Sequence, residues 1–189
     1  MSNKYELTKE TKEFLGIKLS RIRALKDNAR YGVKKGDLGG WVQSELNLEQ
    51  NGDAWVFGNA RVYGNARVYG NARVYGDAQV CGNARVYGDA WVEELANLLL
   101  VSPIANGYFI TLFRTKDSHQ INIGCWDGTI DELLPKVRER NLTEQQVAEY
   151  EALVPLLQKR IDSWRPVKTE KELEIEALEM RIAELKESK

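Results

Sequence analysis

Residues 52–93 read GDAWVF GNARVY GNARVY GNARVY GDAQVC GNARVY GDAWVE, which is seven consecutive units of the form Gly-(Asn/Asp)-Ala-x-Val-x. Val recurs every six positions from Val56 to Val92, and Ala stands two positions before each Val. A six-residue period predicts a parallel β-helix, in which three sides form one coil of about 18 residues. We expect each Val to point inward. Each Gly-Asn or Gly-Asp pair should form a corner, because Gly adopts positive φ without steric cost.

The spacing between the aliphatic and small positions resembles that of a known family. Val56 is followed four positions later by Ala60, and Val62 by Ala66, as in the left-handed β-helix of hexapeptide-repeat proteins. That resemblance implies a left-handed parallel β-helix and a homotrimer. It also implies, for many members, acyltransferase or carbonic-anhydrase-like chemistry. The flanking motifs LGGWV at 38–42 and GCWDGT at 124–129 resemble, more narrowly, hexapeptide-repeat proteins of bacteriophages over residues 15–150.

Composition places the chain among compact proteins. Its 189 residues are enough for one or two small domains, and the formal net charge is −1. An apolar run of membrane-spanning length and the apolar core of a secretory signal are both missing from the sequence, so we expect a cytoplasmic protein without a membrane partner. Cys81 and Cys125 are expected to be free thiols. Residues 1–36 carry ten Lys or Arg against four acidic residues, but the near-neutral total argues against sequence-specific nucleic-acid binding.

Four segments are predicted. Residues 1–36 form an N-terminal strand and cap segment, with a strand at 17–25 and a turn at 31–36. Residues 37–93 form the β-helix. Trp41 and Val42 give its first side, and Leu46 and Leu48 fill the second. Val42 lies 14 residues before Val56, two more than the period requires, so a short bulge or loop is expected between them.

Residues 94–164 are predicted to form a small α+β cap. Strands are expected at 98–101, 107–114 and 120–124, with a turn at 116–118. Capping boxes at Thr129 and Thr143 predict two helices that end near Arg140 and Trp164. Pro155 lies inside the second helix, where a kink is expected.

The last segment, 165–189, is predicted to be a coiled-coil-like oligomerisation helix. Its apolar residues follow a/d spacing: Ile175, Leu178, Ile182 and Leu185. Ile at a with Leu at d favours two strands, whereas the family resemblance implies three. The tail alone leaves dimer and trimer open.

Stacking the repeat every 18 residues places outward residues in columns. One column is Trp55-Arg73-Trp91, in which we expect the guanidinium to lie between two indoles. A second column holds Arg67 and Arg85, with Tyr69 and Tyr87 beside them. Two interpretations compete. The first is a solvated Arg ladder that covers aromatic faces and pairs with Asp53, Asp77, Asp89 or a neighbouring subunit. The second is a groove between subunits that binds an anion or a base. In the second interpretation, the basic residues Arg21 and Arg23 of the N-terminal segment join the ligand site.

Enzymatic motifs are lacking in the sequence. A G-x-S-x-G elbow, a P-loop and H-E-x-x-H do not occur, and the single histidine, His119, falls in a predicted turn outside the repeats. We therefore predict no catalytic residue, no metal site and no cofactor.

The predicted function is that of a non-catalytic phage accessory protein in the host cytoplasm. It would sequester a small anionic or nucleotide signal of host defence. The alternatives are an oligomeric scaffold or inhibitor that binds a host protein, and an acyltransferase-like enzyme.

Overall fold

A computed structural model describes residues 3–102 and 107–164. The described chain is mainly β with two α-helices, and its middle consists of short parallel strands that repeat as in a β-solenoid. This confirms the mainly-β, repeat-solenoid part of the predicted fold class. The predicted helix of Ile175, Leu178, Ile182 and Leu185 lies outside the described residues. Within the described chain, none of the helices is both long and apolar enough to cross a membrane.

The N-terminal segment is a β-hairpin rather than the predicted single strand. Strand β1 (Tyr5–Phe14) pairs antiparallel with β2 (Ile17–Ala24), and β2 pairs antiparallel with β3 (Leu38–Val42). The sequence of β1, YELTKETKEF, carries no sustained apolar alternation, and its register shifts between Leu7 and Thr11. The pattern that identifies strands is therefore weak here. The segment forms a strand because it pairs with β2.

Seven two-residue strands follow, one for each repeat unit. Pairing is parallel and joins units 18 positions apart, so that Val56, Val74 and Val92 form one ladder and Val68 pairs with Val86 in another. The Val and Ala residues of all seven units are at most 1% exposed, which confirms that they face inward. The strands are β4 (Trp55–Val56), β5 (Arg61–Val62), β6 (Arg67–Val68), β7 (Arg73–Val74), β8 (Gln79–Val80), β9 (Arg85–Val86) and β10 (Trp91–Val92).

The first part of the array contains the predicted extra residues. Val42 pairs with Val62 and Leu48 bridges to Val68, each at an offset of 20, whereas Val56 pairs with Val74 at 18. The two additional residues therefore lie between Leu48 and Val56. Leu48 is fully buried and fills the second side as predicted, but Leu46 is 75% exposed and the prediction for it was wrong. It belongs to a 3₁₀-helix at Glu45–Asn47, which turns it outward.

The C-terminal part has its own core. Four antiparallel strands, in the order β11 (Leu98–Val101), β12 (Ile110–Arg114), β13 (His119–Ile123) and β14 (Trp126–Gly128), pack against α1 (Ile130–Arg138) and α2 (Glu144–Asp162). Both helices begin after the predicted capping boxes. Strand β14 was not predicted, and β12 begins at Ile110 rather than 107. The expected kink at Pro155 stays a prediction.

The C-terminal sheet contacts the repeat array directly. Phe113 of β12 is buried in the same core as the repeat valines, and Thr115 forms an antiparallel bridge with Ala90. The sheet therefore covers the last units, while the β1–β2 hairpin lies against the first. These contacts fix which outward faces of the repeats stay open.

Candidate functional site

Arg67 and Arg85 stand side by side on one open face. Parallel pairing of β6 with β9 places the two residues in register, and both are exposed. Neither forms an ion pair within the described residues. Arg85 has one side-chain hydrogen bond, from Nη1 to the carbonyl oxygen of Gly124 at 3.3 Å. Two neighbouring guanidinium groups repel each other, and an anion between them would relieve that repulsion.

Tyr69 and Tyr87 stack on each other beside the arginines, but only Tyr69 lines the groove on the open face. Their ring centroids lie 4.7 Å apart at an interplanar angle of 10°. Tyr87 also meets the ring of Phe113 edge-on at 5.5 Å, and its hydroxyl is buried without a hydrogen-bond partner among the described residues. Tyr87 is therefore a packing residue between the array and the C-terminal sheet. Tyr69 is the tyrosine that lines the open face.

A groove of about 450 Å³ runs along this face. Arg67, Arg85 and Tyr69 form one wall, and the other wall comes from the irregular first coil: Glu45, Leu46, Leu48, Glu49 and Gln50. Sequence reasoning missed this second wall because those residues lie outside the hexapeptide pattern. The one available signal was the two-residue excess before Val56. A second hollow, of about 440 Å³, shares Leu46, Arg67 and Arg85 with the groove.

The C-terminal sheet reaches the same arginines. Asp127, in β14, accepts a hydrogen bond from Asn122 Nδ2 at 2.9 Å. Burial raises the pKa of the Asp127 carboxyl, while the charge of Arg85 acts to lower it. Burial likewise raises the pKa of Tyr69. Tyr69 therefore stays a neutral phenol at physiological pH, available as a stacking face and a hydrogen-bond donor.

The second predicted column is only partly as expected. Trp55, Arg73 and Trp91 are in register across β4, β7 and β10. The Arg73 guanidinium carbon lies 4.7 Å from the ring centre of Trp91, and it is also close to Tyr75 (4.8 Å), Phe57 (5.2 Å) and Tyr31 (5.8 Å).

Trp55 is not among the described rings that contact this guanidinium, so the predicted sandwich of two indoles was wrong. The physical reason is burial. Trp55 is 1% exposed and packs edge-on against Tyr5, with ring centres 6.4 Å apart. A ring buried in this way offers no free face to Arg73 or to a ligand.

Arg21 and Arg23 are not brought together with Arg67 and Arg85. They belong to β2, which joins the β3–β5–β8 sheet rather than the β6–β9 pair. Arg21 forms an ion pair with Glu10 at 3.0 Å, and Arg23 forms one with Glu6. Both partners come from β1, the strand that was not predicted, so these two charges are already matched.

His119 is the first residue of β13 rather than part of a turn. Its Nε2 accepts a hydrogen bond from the Ile130 backbone N–H at 2.9 Å, at the start of α1. Burial lowers the pKa of His119, although the charge of Asp131 acts in the opposite direction. The neutral ring therefore serves as a helix cap. Within residues 3–102 and 107–164, His, Cys, Asp and Glu side chains form no group of three that could hold a metal ion.

Comparison with known proteins defines a class for the central repeats. A family model described as the YdcK beta solenoid repeat matches three consecutive stretches, residues 54–68, 66–80 and 78–94. The matches coincide with the parallel ladders and support a repeat β-solenoid protein. Among curated proteins, none matches this chain.

Proposed function

We propose that the protein binds a small anionic ligand in the Arg67/Arg85 groove and leaves it chemically unchanged. The observation that carries this proposal is the in-register pair of exposed guanidinium groups, neither of which has a carboxylate partner in the described chain. Two adjacent forks of N–H donors match the oxygens of a phosphate. The single histidine is engaged as the cap of α1, which supports a non-catalytic role over an acyltransferase-like one.

A nucleotide is the ligand class that fits this wall. The outer face of Tyr69 is suited to stack a base, at roughly 1–3 kcal/mol for one base on one aromatic ring. Glu49, which lines the same groove, offers carboxylate oxygens as acceptors for an exocyclic amino group. The biological role that follows is sequestration of a nucleotide signal of host defence.

Calorimetry against a panel of linear and cyclic nucleotides tests the proposal. We expect saturable binding that weakens with salt and is lost in Arg67→Glu/Arg85→Glu. The matched control is Arg61→Glu/Gln79→Glu, which changes the same repeat positions on a different ladder and should keep the affinity. Release of an intact ligand on denaturation is expected. Absence of heat with every nucleotide, or equal loss in the control, would contradict the proposal.

A second candidate is the blocking of a host protein. It is favoured by Leu46, which is 75% exposed and lies at the edge of both hollows. Under this alternative, Leu46→Ser abolishes capture of a stoichiometric host protein and nucleotides give no heat. Under the nucleotide proposal, the same variant removes one apolar contact from the groove, and saturable nucleotide binding that depends on Arg67 and Arg85 remains.

Three finer features belong to the same proposal: left-handed winding of the repeats, a homotrimer with parallel β-helix axes and residues 165–189 gathered near the three-fold axis, and a phage origin with action in the host cytoplasm. The aliphatic-to-small spacing and the LGGWV and GCWDGT motifs support them. Sedimentation should give three chains per particle. Deletion of residues 169–189 should weaken the assembly without loss of the β-strand signal. A monomer at micromolar concentration would refute the trimer.

A further inference from the structure

A further hollow, separate from the groove and from the hollow beside it, lies next to Arg73. Its volume is about 300 Å³, and it shares no lining residue with the Arg67/Arg85 groove. Three stretches that are distant in sequence meet there. Arg30 and Tyr31 come from the 3₁₀-helix after β2, Arg73 and Trp91 come from the repeat ladder, and Lys116 and Asp117 come from the turn between β12 and β13. We call this hollow the Arg73 cleft.

Arg73 itself is incompletely satisfied. Four aromatic rings lie within 6 Å of its guanidinium carbon, but its Nε is buried with no acceptor and it forms no ion pair within the described chain. Aromatic faces attract the cation but do not accept a directed N–H bond as an oxygen does. A buried donor left without an acceptor costs about 1–3 kcal/mol. An oxyanion in the cleft would give the Arg73 cation a charged partner that the described chain does not supply.

The charges around the Arg73 cleft indicate the kind of anion. Three cationic residues, Arg30, Arg73 and Lys116, face two carboxylates, Asp89 and Asp117, so the lining carries one net positive charge. Arg30 pairs with Asp89 at 2.8 Å, but both side chains are largely exposed, and such a pair contributes little. Lys116 has no partner within the described chain. One excess positive charge suits a monoanion better than a polyphosphate.

We propose that the Arg73 cleft binds a small organic carboxylate. Its carboxylate group accepts hydrogen bonds from Arg73 and Lys116, and its apolar body lies against Trp91 and Tyr31. Planar guanidinium groups match carboxylates through two parallel N–H bonds. Because the lining residues differ from those of the groove, carboxylate binding in the Arg73 cleft does not depend on nucleotide binding in the groove.

Benzoate is a suitable probe, and benzamide is its neutral counterpart of the same shape. Binding can be followed by NMR through the Trp91 indole N–H, which donates to the Tyr75 hydroxyl and is identified by its loss in Trp91→Phe. For a ligand of this size we expect a dissociation constant on the order of millimolar. Benzoate should shift the Trp91 signal saturably, and benzamide should not.

Two variants can be taken from the repeat itself, which limits the risk of misfolding. Arg73→Gln places the residue of Gln79 at the equivalent position of another unit, and benzoate affinity should fall at least tenfold. Arg61→Gln is the matched control, because Arg61 also has a buried Nε without an acceptor and lies 4.4 Å from the Phe14 ring, but does not line the cleft. It should leave the affinity unchanged.

Asp89→Asn supplies the most direct test. Asn occupies this corner position in four of the seven units, so the fold should accept it. The change removes one of the two carboxylates of the lining and should tighten benzoate binding several-fold, whereas Lys116→Glu should weaken it. The proposal is overturned if benzamide binds as well as benzoate, if Arg61→Gln weakens binding as much as Arg73→Gln, or if Asp89→Asn leaves the affinity unchanged.

Discussion

The ammonium group of Lys4 donates a hydrogen bond to the carbonyl oxygen of Ala54 at 2.7 Å, across the start of the repeat array. It also lies 3.4 Å from the carbonyl oxygens of Asn51 and Gly52. Lys4 is 2% exposed, and burial lowers its pKa to about 8. Carbonyl oxygens are the main partners of this buried cation. The stability of the fold around the first unit should therefore depend on whether Lys4 is protonated.

The first prediction concerns this lysine and pH. Between pH 8 and 10.5 the unfolded chain keeps the Lys4 proton while the folded chain releases it, so the free energy of unfolding should rise with pH in that range. Full titration corresponds to roughly 3 kcal/mol. Chemical denaturation across this range gives the free energy of unfolding of wild type and of Lys4→Met. The tyrosines titrate in both proteins, so the difference between the two free energies reports on Lys4. Parallel pH dependence in the two proteins would contradict the assignment.

The second prediction concerns the inward face of the repeats. Val74 is fully buried, and Val74→Asp would place an unpaired carboxylate among valines and alanines at a cost of several kcal/mol. We expect no soluble folded protein by circular dichroism and gel filtration. Tyr69→Ser, on the outer face, should fold normally and change binding instead. Equal damage from both variants would show that the inward and outward positions are assigned wrongly.

The third prediction separates two effects at the corners. Gly58 and Gly64 both have positive φ, 51° and 68°, but an added Cβ meets nothing within 4 Å at Gly58, whereas at Gly64 it lies 3.2 Å from the Gly82 nitrogen. Gly58→Ala should therefore cost about 1–2 kcal/mol for the left-handed conformation. Gly64→Ala should cost more, because it adds a clash with the next coil. Thermal unfolding of the pair gives the comparison, and equal losses would count against close contact between corners.

The fourth prediction concerns His119. Because burial lowers its folded-state pKa below 6.5, the neutral cap of α1 contributes fully above about pH 6.5 and is lost as the pH falls below that value. His119→Gln keeps an acceptor that does not titrate. We expect wild type to lose stability relative to His119→Gln between pH 6.5 and 5, measured by denaturant titration. If the difference in stability between wild type and His119→Gln stays constant between pH 6.5 and 5, the capping role is refuted.

The repeat period predicts the ladders, their offset and the burial of every Val and Ala, because one periodic signal controls all three. It does not predict β1, whose charged sequence becomes a strand through its partner β2. Because β1 was not predicted, the contact of its Tyr5 with the Trp55 ring was not predicted either, and Trp55 was wrongly placed against Arg73. In the groove, the repeat period predicts the outward, stacked positions of Arg67, Arg85 and Tyr69. Glu49 and Gln50 could not be predicted, because their positions depend on an irregular loop that has no period.

The 18-position offset between paired units restricts how the array can change in length during evolution. Near-identical GNARVY units are prone to duplication or loss, one at a time, in the underlying DNA. A single unit gained or lost would present a different ladder to Phe113 and Thr115, and a change between Arg67 and Arg85 would also separate these two residues. Three units together would restore every pairing. Viable relatives should therefore differ in repeat number by multiples of three.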